Sequence, residues 1–218
     1  ASMLRSPAVL ALAAVLATAA PASAHQANPN FLTRVDAITP PTRGVAVDVL
    51  NRDDQLLLRN TSGKEVVIAG YNDEPYARIG ADGTVAVNTR SPAYYLNDDR
   101  YGGAKIPDGI DGTGPPRWKV LDKTGRFQWH DHRMHWMSKS RPPQVENPDR
   151  RTKIFTWKVP LTVAGSRGDI AGTLFWTPRP GTPIGFIVVG SIVVLVLCVG
   201  AIAIRRRRDR SAGATEAW

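Results

Sequence analysis

Short runs in which apolar and polar residues alternate recur between residues 31 and 176. In the clearest run, Val45, Val47 and Val49 alternate with Ala46 and Asp48, which is the pattern of a strand with one buried face. Turns rich in Gly, Asn and Asp separate such runs. Strands are therefore predicted at residues 45–50, 56–59, 66–69, 76–79, 85–87, 118–121, 126–129, 152–163 and 170–176.

About eight or nine short strands, with no amphipathic helix between them, define the expected fold class. The pattern predicts an all-β sandwich of the immunoglobulin-like or cupredoxin-like kind. The strands at 45–50, 56–59 and 66–69 are expected to form an antiparallel meander. Asp-Lys-Thr-Gly at 122–125 is expected to be a hairpin-like turn between the strands on either side. Residues 91–116, rich in Gly, Pro and Tyr, are predicted to form a long loop packed by its tyrosines.

Two longer apolar runs lie outside this domain. Residues 8–20 follow Arg5 and precede small residues, the layout of a signal peptide that is cleaved after Ala24. Residues 184–204 are 21 uncharged residues, long enough as a helix to cross a hydrocarbon core of about 30 Å. We therefore expect a signal peptide and one C-terminal transmembrane helix.

The charges beside the second run indicate the orientation. Five arginines follow it within residues 205–210, and basic residues next to a span mark its cytoplasmic side. The prediction is a single-pass protein of the cell membrane, with its folded domain outside the cytoplasm. Its parts are a signal peptide (1–24), an extracytoplasmic domain (25–178), a linker (179–183), a transmembrane helix (184–204) and a basic tail (205–218).

Composition excludes several function classes. The net charge is +9, but residues 25–183 carry 22 basic and 17 acidic residues, a charge of only +5. This weak excess gives no support to nucleic-acid binding. The single cysteine, Cys198, falls in the predicted span, so the exported domain has neither a disulfide nor a thiolate ligand. No complete catalytic set or small-molecule substrate site can be identified, so the protein is predicted not to be an enzyme.

The segment from Phe127 to Met137 contains most of the candidate chemistry. It holds three of the four histidines and two of the three methionines of the chain. The fourth histidine, His25, would become the first residue of the mature protein. Every imidazole and thioether of the exported part would then lie at its N-terminus or in this segment.

On an extended strand, His130 and His132 would project to one face and Asp131 to the other. Continued alternation would place Met134 with the two histidines. His135 would join them only through a turn or bulge, and the residues leave that point open. Asp131 is a candidate to accept a ring N–H from a neighbouring histidine, which would orient that ligand.

These residue types favour copper. Imidazole suits copper, zinc, nickel and iron, whereas the soft thioether selects copper, particularly Cu(I). A mature N-terminal His25 could chelate through its α-amine and its imidazole together. The predicted ligands are His25, His130 and His132, with His135, Met134 and Met137 as further candidates. The alternative is a hydrogen-bonded structural cluster.

Nearby residues have simpler interpretations. Trp129 and Trp136 are expected in the core or at its rim. Asp73 and Glu74 lie in a predicted turn and are expected to be solvated.

A resemblance adds to this interpretation. The predicted cleavage before His25, the small β-sandwich, and the histidine and methionine ligands resemble the layout of CopC-like copper-binding proteins. They also resemble the N-terminal copper brace shared with lytic monooxygenases. The whole exported domain is similar to an uncharacterised group of actinobacterial membrane-anchored secreted proteins, through Gly70-Tyr-Asn-Asp-Glu-Pro-Tyr, Ser91-Pro-Ala-Tyr-Tyr-Leu and Trp129-His-Asp-His-Arg-Met-His-Trp-Met.

Two functions of different classes follow. The first is extracytoplasmic copper storage, delivery or tolerance, with an envelope or copper-handling protein as partner. The second is a non-catalytic interaction or assembly module of the cell envelope, in which the histidine segment is structural. Copper-dependent oxidation is a third and weaker hypothesis.

Overall fold

A computed structural model of the chain describes residues 28–179, 192 and 196–206. Residues 28–179 belong to one compact unit, whereas residues 192 and 196–206 belong to a second unit and are helical. The predicted signal peptide (1–24) lies outside the described residues, as does most of the predicted span (184–204). Among the described residues, no helix is both long enough and apolar enough to span a membrane. Membrane topology therefore stays a prediction.

The described residues of the first unit form ten strands, a short α-helix and one 3-10 helix. In chain order these are β1 (Phe31–Thr39), β2 (Val45–Leu50), β3 (Gln55–Asn60), β4 (Val66–Ala69), β5 (Pro75–Ile79), β6 (Val85–Asn88), α1 (Pro92–Leu96), β7 (Trp118–Asp122), β8 (Arg126–Trp129), the 3-10 helix (His132–Met134), β9 (Thr152–Val163) and β10 (Ser166–Trp176).

The strands form two antiparallel sheets. One sheet has seven strands in the order β1-β10-β9-β4-β5-β6-β7, and the other has three in the order β2-β3-β8. This architecture confirms the predicted all-β sandwich. Inward-facing side chains of both sheets form the core, and the largest fully buried aliphatic ones are Leu56, Leu58, Val66, Ile68, Ile79, Val85, Val159, Leu161, Ile170 and Leu174.

The antiparallel meander predicted for β2, β3 and β4 is wrong at the connection between β3 and β4. β2 pairs with β3, but β4 pairs with β5 and β9 in the other sheet. The side chain of Asn60, which is buried, accepts from the backbone N–H of Ser62 at 3.1 Å and donates to the carbonyl of Lys64 at 2.7 Å. These bonds stabilise a turn that carries the chain across the sandwich.

The predicted hairpin at 122–125 is also wrong. β7 pairs with β6, whereas β8 pairs with β3, so this turn again joins the two sheets. Gly125 has φ of 66°, and its N–H donates to the carbonyl of Gly83 at 2.9 Å. A Cβ at this position would lie 2.8 Å from the carbonyl oxygen of Asn60. The crossing therefore requires glycine.

Residues 91–116 are not wholly a loop, because α1 begins inside them. Ser91 caps α1, and its hydroxyl donates to the carboxylate of Glu74. Glu74 is only 5% exposed and also accepts from the backbone N–H of Asn72 at 2.8 Å, so the expectation that it is solvated is wrong. Asp73 is exposed, as expected, and pairs with Arg167 at 2.9 Å. Glu74 thus joins the β4–β5 turn to the start of α1.

Gly172 in β10 offers a test of the packing between β1 and β9. A Cβ there would lie 2.2 Å from the ring of Trp157 and 2.3 Å from the carbonyl oxygen of Arg34. Because neither neighbour can move without disturbing the sheet, Gly172→Ala should lower the free energy of unfolding by about 3 kcal/mol. Gly103→Ala is the control, since its Cβ would meet only the Asp99 carboxylate at 3.4 Å. Equal urea midpoints for the two variants would contradict this account.

Candidate metal centre

The histidine segment leaves the sheet at Trp129. β8 ends there, and residues His132–Met134 form the 3-10 helix. The carboxylate of Asp131 caps this helix by accepting the backbone N–H of Arg133 at 3.1 Å. The predicted extended strand through the histidines is therefore wrong, and the turn left open by the sequence is present. It brings His135 back towards His130.

Three histidines converge as a result. One ring nitrogen from each of His130, His132 and His135 lies within 4.8 Å of the others. The ring centroids are 4.5, 5.3 and 5.6 Å apart. Three imidazoles bound tetrahedrally to one metal ion through bonds of about 2.0–2.1 Å would have centroids about 5.2 Å apart. The group could therefore hold a metal ion.

Backbone carbonyls lie beside both buried rings. Nδ1 of His130 lies 2.5 Å from the carbonyl oxygen of Asp54, and Nδ1 of His135 lies 3.2 Å from that of Trp136. A carbonyl can only accept, so the shorter contact makes Nδ1 of His130 a donor and leaves its Nε2 as an acceptor. The Nε2 atoms of His130 and His135 lie 2.7 Å apart, the distance of an N–H···N hydrogen bond.

A metal ion bound to both Nε2 atoms would replace the proton that they share, because a ligand nitrogen must be deprotonated. It would hold the two atoms about 3.3 Å apart, so the rings would separate slightly on binding. The pair His130 and His135 is therefore close to the spacing that a metal ion requires.

His132 completes the group from a more open position. It is half-buried, and its Nε2 donates to the carbonyl of Asp99 at 2.7 Å. That bond leaves Nδ1 as its free ligand atom. The ring of Tyr71 stacks on His132 with centroids 5.7 Å apart, and the Tyr71 hydroxyl accepts the backbone N–H of His132 at 3.0 Å. These contacts orient the imidazole.

Charged residues of the β2–β3 turn surround His130. Arg100 contacts the carboxylates of Asp53 at 2.6 Å and Asp54 at 3.3 Å. The Asp54 carboxylate also lies 3.7 Å from Nδ1 of His130. Burial raises the pKa of Asp53 to about 6, although Arg100 opposes that rise. The sequence predicts only a turn at Asp53 and Asp54. No local pattern indicates that Arg100, which is distant in the chain, packs against them.

Asp131 supports the site through other partners than the predicted ones. No described histidine ring donates to its carboxylate, which is fully buried. It instead accepts from Arg133 Nε and Nη2, both at 2.8 Å, and from the Trp129 indole at 2.9 Å. Arg133 also donates to the carbonyls of Ala69 and Gly70. This ion pair fixes the histidine turn against the β4–β5 connection.

The remaining predicted ligands lie in different places. Met134 is fully buried in the hydrophobic core. Met137 is 41% exposed and lines an open pocket of about 380 Å³ together with His132 and His135. His25 lies outside the described residues. Trp129 is buried in the core and Trp136 is partly buried against it, as expected.

Burial keeps the histidines in their ligand form. It lowers the pKa of His135 to about 3, helped by the positive charges available to His130 and Arg100. Burial likewise lowers the pKa of His130. Both imidazoles are therefore neutral near pH 7, and protons do not compete with a metal ion there.

In comparisons with known proteins, no family model, no curated protein and no solved structure matched the chain.

Removing the carboxylate charge of Asp131 should be severe. Asp131→Asn would leave the Arg133 guanidinium uncompensated, so we expect the free energy of unfolding to fall by about 3–5 kcal/mol. Asp73→Asn is the matched control, because Asp73 and Arg167 form an exposed pair that should contribute less than about 1 kcal/mol. Urea unfolding of both variants measures the difference. A loss at Asp131 no larger than that at Asp73 would refute the supporting role.

Acid should destabilise the domain through His135. The unfolded chain takes up a proton at this residue below pH 6.5, whereas the folded protein does so only near pH 3. As the pH is lowered from 6.5 to about 3, the free energy of unfolding should therefore fall by up to about 1.4 kcal/mol per pH unit. In His135→Gln this contribution disappears and the slope should be shallower. The check is urea unfolding from pH 7.5 to 4, and identical slopes would show that His135 is not held neutral.

Proposed function

We propose that this protein is a membrane-anchored, extracytoplasmic copper-binding protein that serves in copper storage, delivery or tolerance. The observation that carries the proposal is the convergence of three imidazoles, with the Nε2 atoms of His130 and His135 2.7 Å apart and a ring nitrogen of His132 within 4.8 Å of them.

The donor set favours copper among the metals. Neutral imidazoles bind Cu(II) more tightly than Zn(II) in the usual order of divalent ions. Met137 adds a thioether on the wall of the same pocket, and thioether is a ligand type that selects copper. Copper is thus the metal that suits both kinds of donor.

The exposure of the site favours binding and release over turnover. His130 and His135 are buried, whereas His132 is half-buried and the pocket beside it is open. A metal ion therefore has a path to the site, and an exposed partner could reach it. Such access suits storage or delivery to an envelope or copper-handling protein.

The membrane anchor and the mature N-terminus come from sequence patterns alone. Cleavage after Ala24 would provide the α-amine and imidazole of His25 as additional ligands. A three-histidine site without them remains open to a fourth ligand, so His25 would strengthen binding rather than create the site.

One observation favours the second function, an interaction module with structural histidines. Each ring has a nitrogen within hydrogen-bond distance of a backbone carbonyl, at Asp54, Asp99 or Trp136. These bonds would connect three loops without any metal. Metal-dependent stabilisation separates the two functions, because a ligand at 100 times its Kd that binds only the folded state adds about 2.7 kcal/mol.

The test is a titration with Cu(II), Cu(I) and Zn(II) of the full chain processed to begin at His25. We expect one copper per chain, bound more tightly than zinc, and a rise in the thermal unfolding midpoint. His135→Gln should weaken copper binding by about 100-fold or more, because it removes one of the two facing donors.

Two comparisons complete this experiment. A chain with one extra residue before His25 should bind copper less tightly if the α-amine is a ligand. Preference for zinc would overturn the choice of metal, and no binding of any of these ions would overturn the metal site in favour of the interaction module.

A further inference from the structure

The accessible side of the histidine group is a largely apolar pocket. Its lining includes His132, His135, Trp136, Met137 and Phe155. Met137 is the only lining residue among these five with a sulfur atom. His130 and His135 are buried, so a metal ion held by the three histidines would be reached through this pocket.

Gly102 lies between His132 and Met137. A Cβ on Gly102 would lie 3.3 Å from Cε1 and 3.6 Å from Nδ1 of His132, and 3.7 Å from the terminal methyl of Met137. Nδ1 is the ligand atom of His132, because Nε2 donates to Asp99. The ligand edge of the imidazole and the end of the thioether side chain therefore lie beside the same glycine.

Met137 is able to rotate within the pocket that it shares with His132 and His135. Its side chain is unbranched and flexible, and the residue is 41% exposed, so rotation does not disturb the core. Met134 differs in this respect, because it is fully buried and packed in the core.

We propose that Met137 is the soft ligand that makes this site prefer Cu(I) to Cu(II). The inference rests on the proposed copper function and adds the oxidation state. Thioether sulfur binds Cu(I) better than Cu(II). The apolar walls at Trp136 and Phe155 act in the same direction, because removing a monovalent ion from water costs less than removing a divalent one.

The experiment compares Met137→Leu with the native full chain. Cu(I) affinity is measured by competition with a chromophoric Cu(I) chelator under ascorbate, and Cu(II) affinity by competition with a Cu(II) chelator in air. We expect Met137→Leu to weaken Cu(I) binding by about tenfold or more and to change Cu(II) binding by less than about twofold. A tenfold change in this ratio lowers the reduction potential of the bound copper by about 59 mV.

Met134→Leu is the matched control, because it makes the same substitution at a methionine in the core. Its Cu(I) to Cu(II) affinity ratio should equal that of the native chain. Methyl NMR of the methionines provides a second readout: addition of Cu(I) should shift the Met137 signal far more than the Met134 signal.

Two results would overturn the proposal. One is an unchanged Cu(I) affinity in Met137→Leu, and the other is an equal loss for both oxidation states. Failure of the native chain to bind any copper would instead reject the copper function itself, which distinguishes the two inferences.

Discussion

The buried ion pair between Asp131 and Arg133 is the interaction on which the histidine group depends. Its carboxylate is fully buried, receives two donors from the guanidinium and a third from Trp129, and caps the 3-10 helix. A buried charge of this kind is tolerated only when every oxygen has a partner. The same contacts that satisfy Asp131 therefore turn the chain out of β8 and return His135 to His130.

The second constraint is imposed by backbone carbonyls. The carbonyl of Asp54 in the β2–β3 turn accepts the Nδ1–H of His130, which leaves Nε2 of His130 directed at Nε2 of His135, 2.7 Å away. The acceptor carbonyls lie in loops, and the sheets position those loops. The three-stranded sheet thus contributes both the acceptor turn between β2 and β3 and the strand that delivers His130.

Electrostatics and access then define what the site can bind. Beside His130, Arg100 pairs with Asp53 and Asp54, and its positive charge helps burial to lower the pKa of both buried histidines. The buried rings stay neutral, while His132 and Met137 face an open apolar pocket. The buried imidazoles of His130 and His135 resist protonation, and the thioether of Met137 beside them is flexible. This combination is suited to binding copper and exchanging it.

The sequence by itself determined nine of the ten described strands, all but β1, and the histidine segment, because alternation and residue spacing are local properties. Val45–Leu50, Val66–Ala69 and Arg126–Trp129 have the predicted bounds. Sheet pairing was decided only by the tertiary structure, since the turns after Asn60 and at Gly125 carry the chain between sheets rather than into hairpins. The partners of Asp131, the burial of Glu74 and the acceptors at Asp54 and Asp99 also depended on tertiary structure. The physical reason is that a backbone carbonyl or a buried guanidinium acquires its role from residues far away in the chain, and no local pattern records that contact.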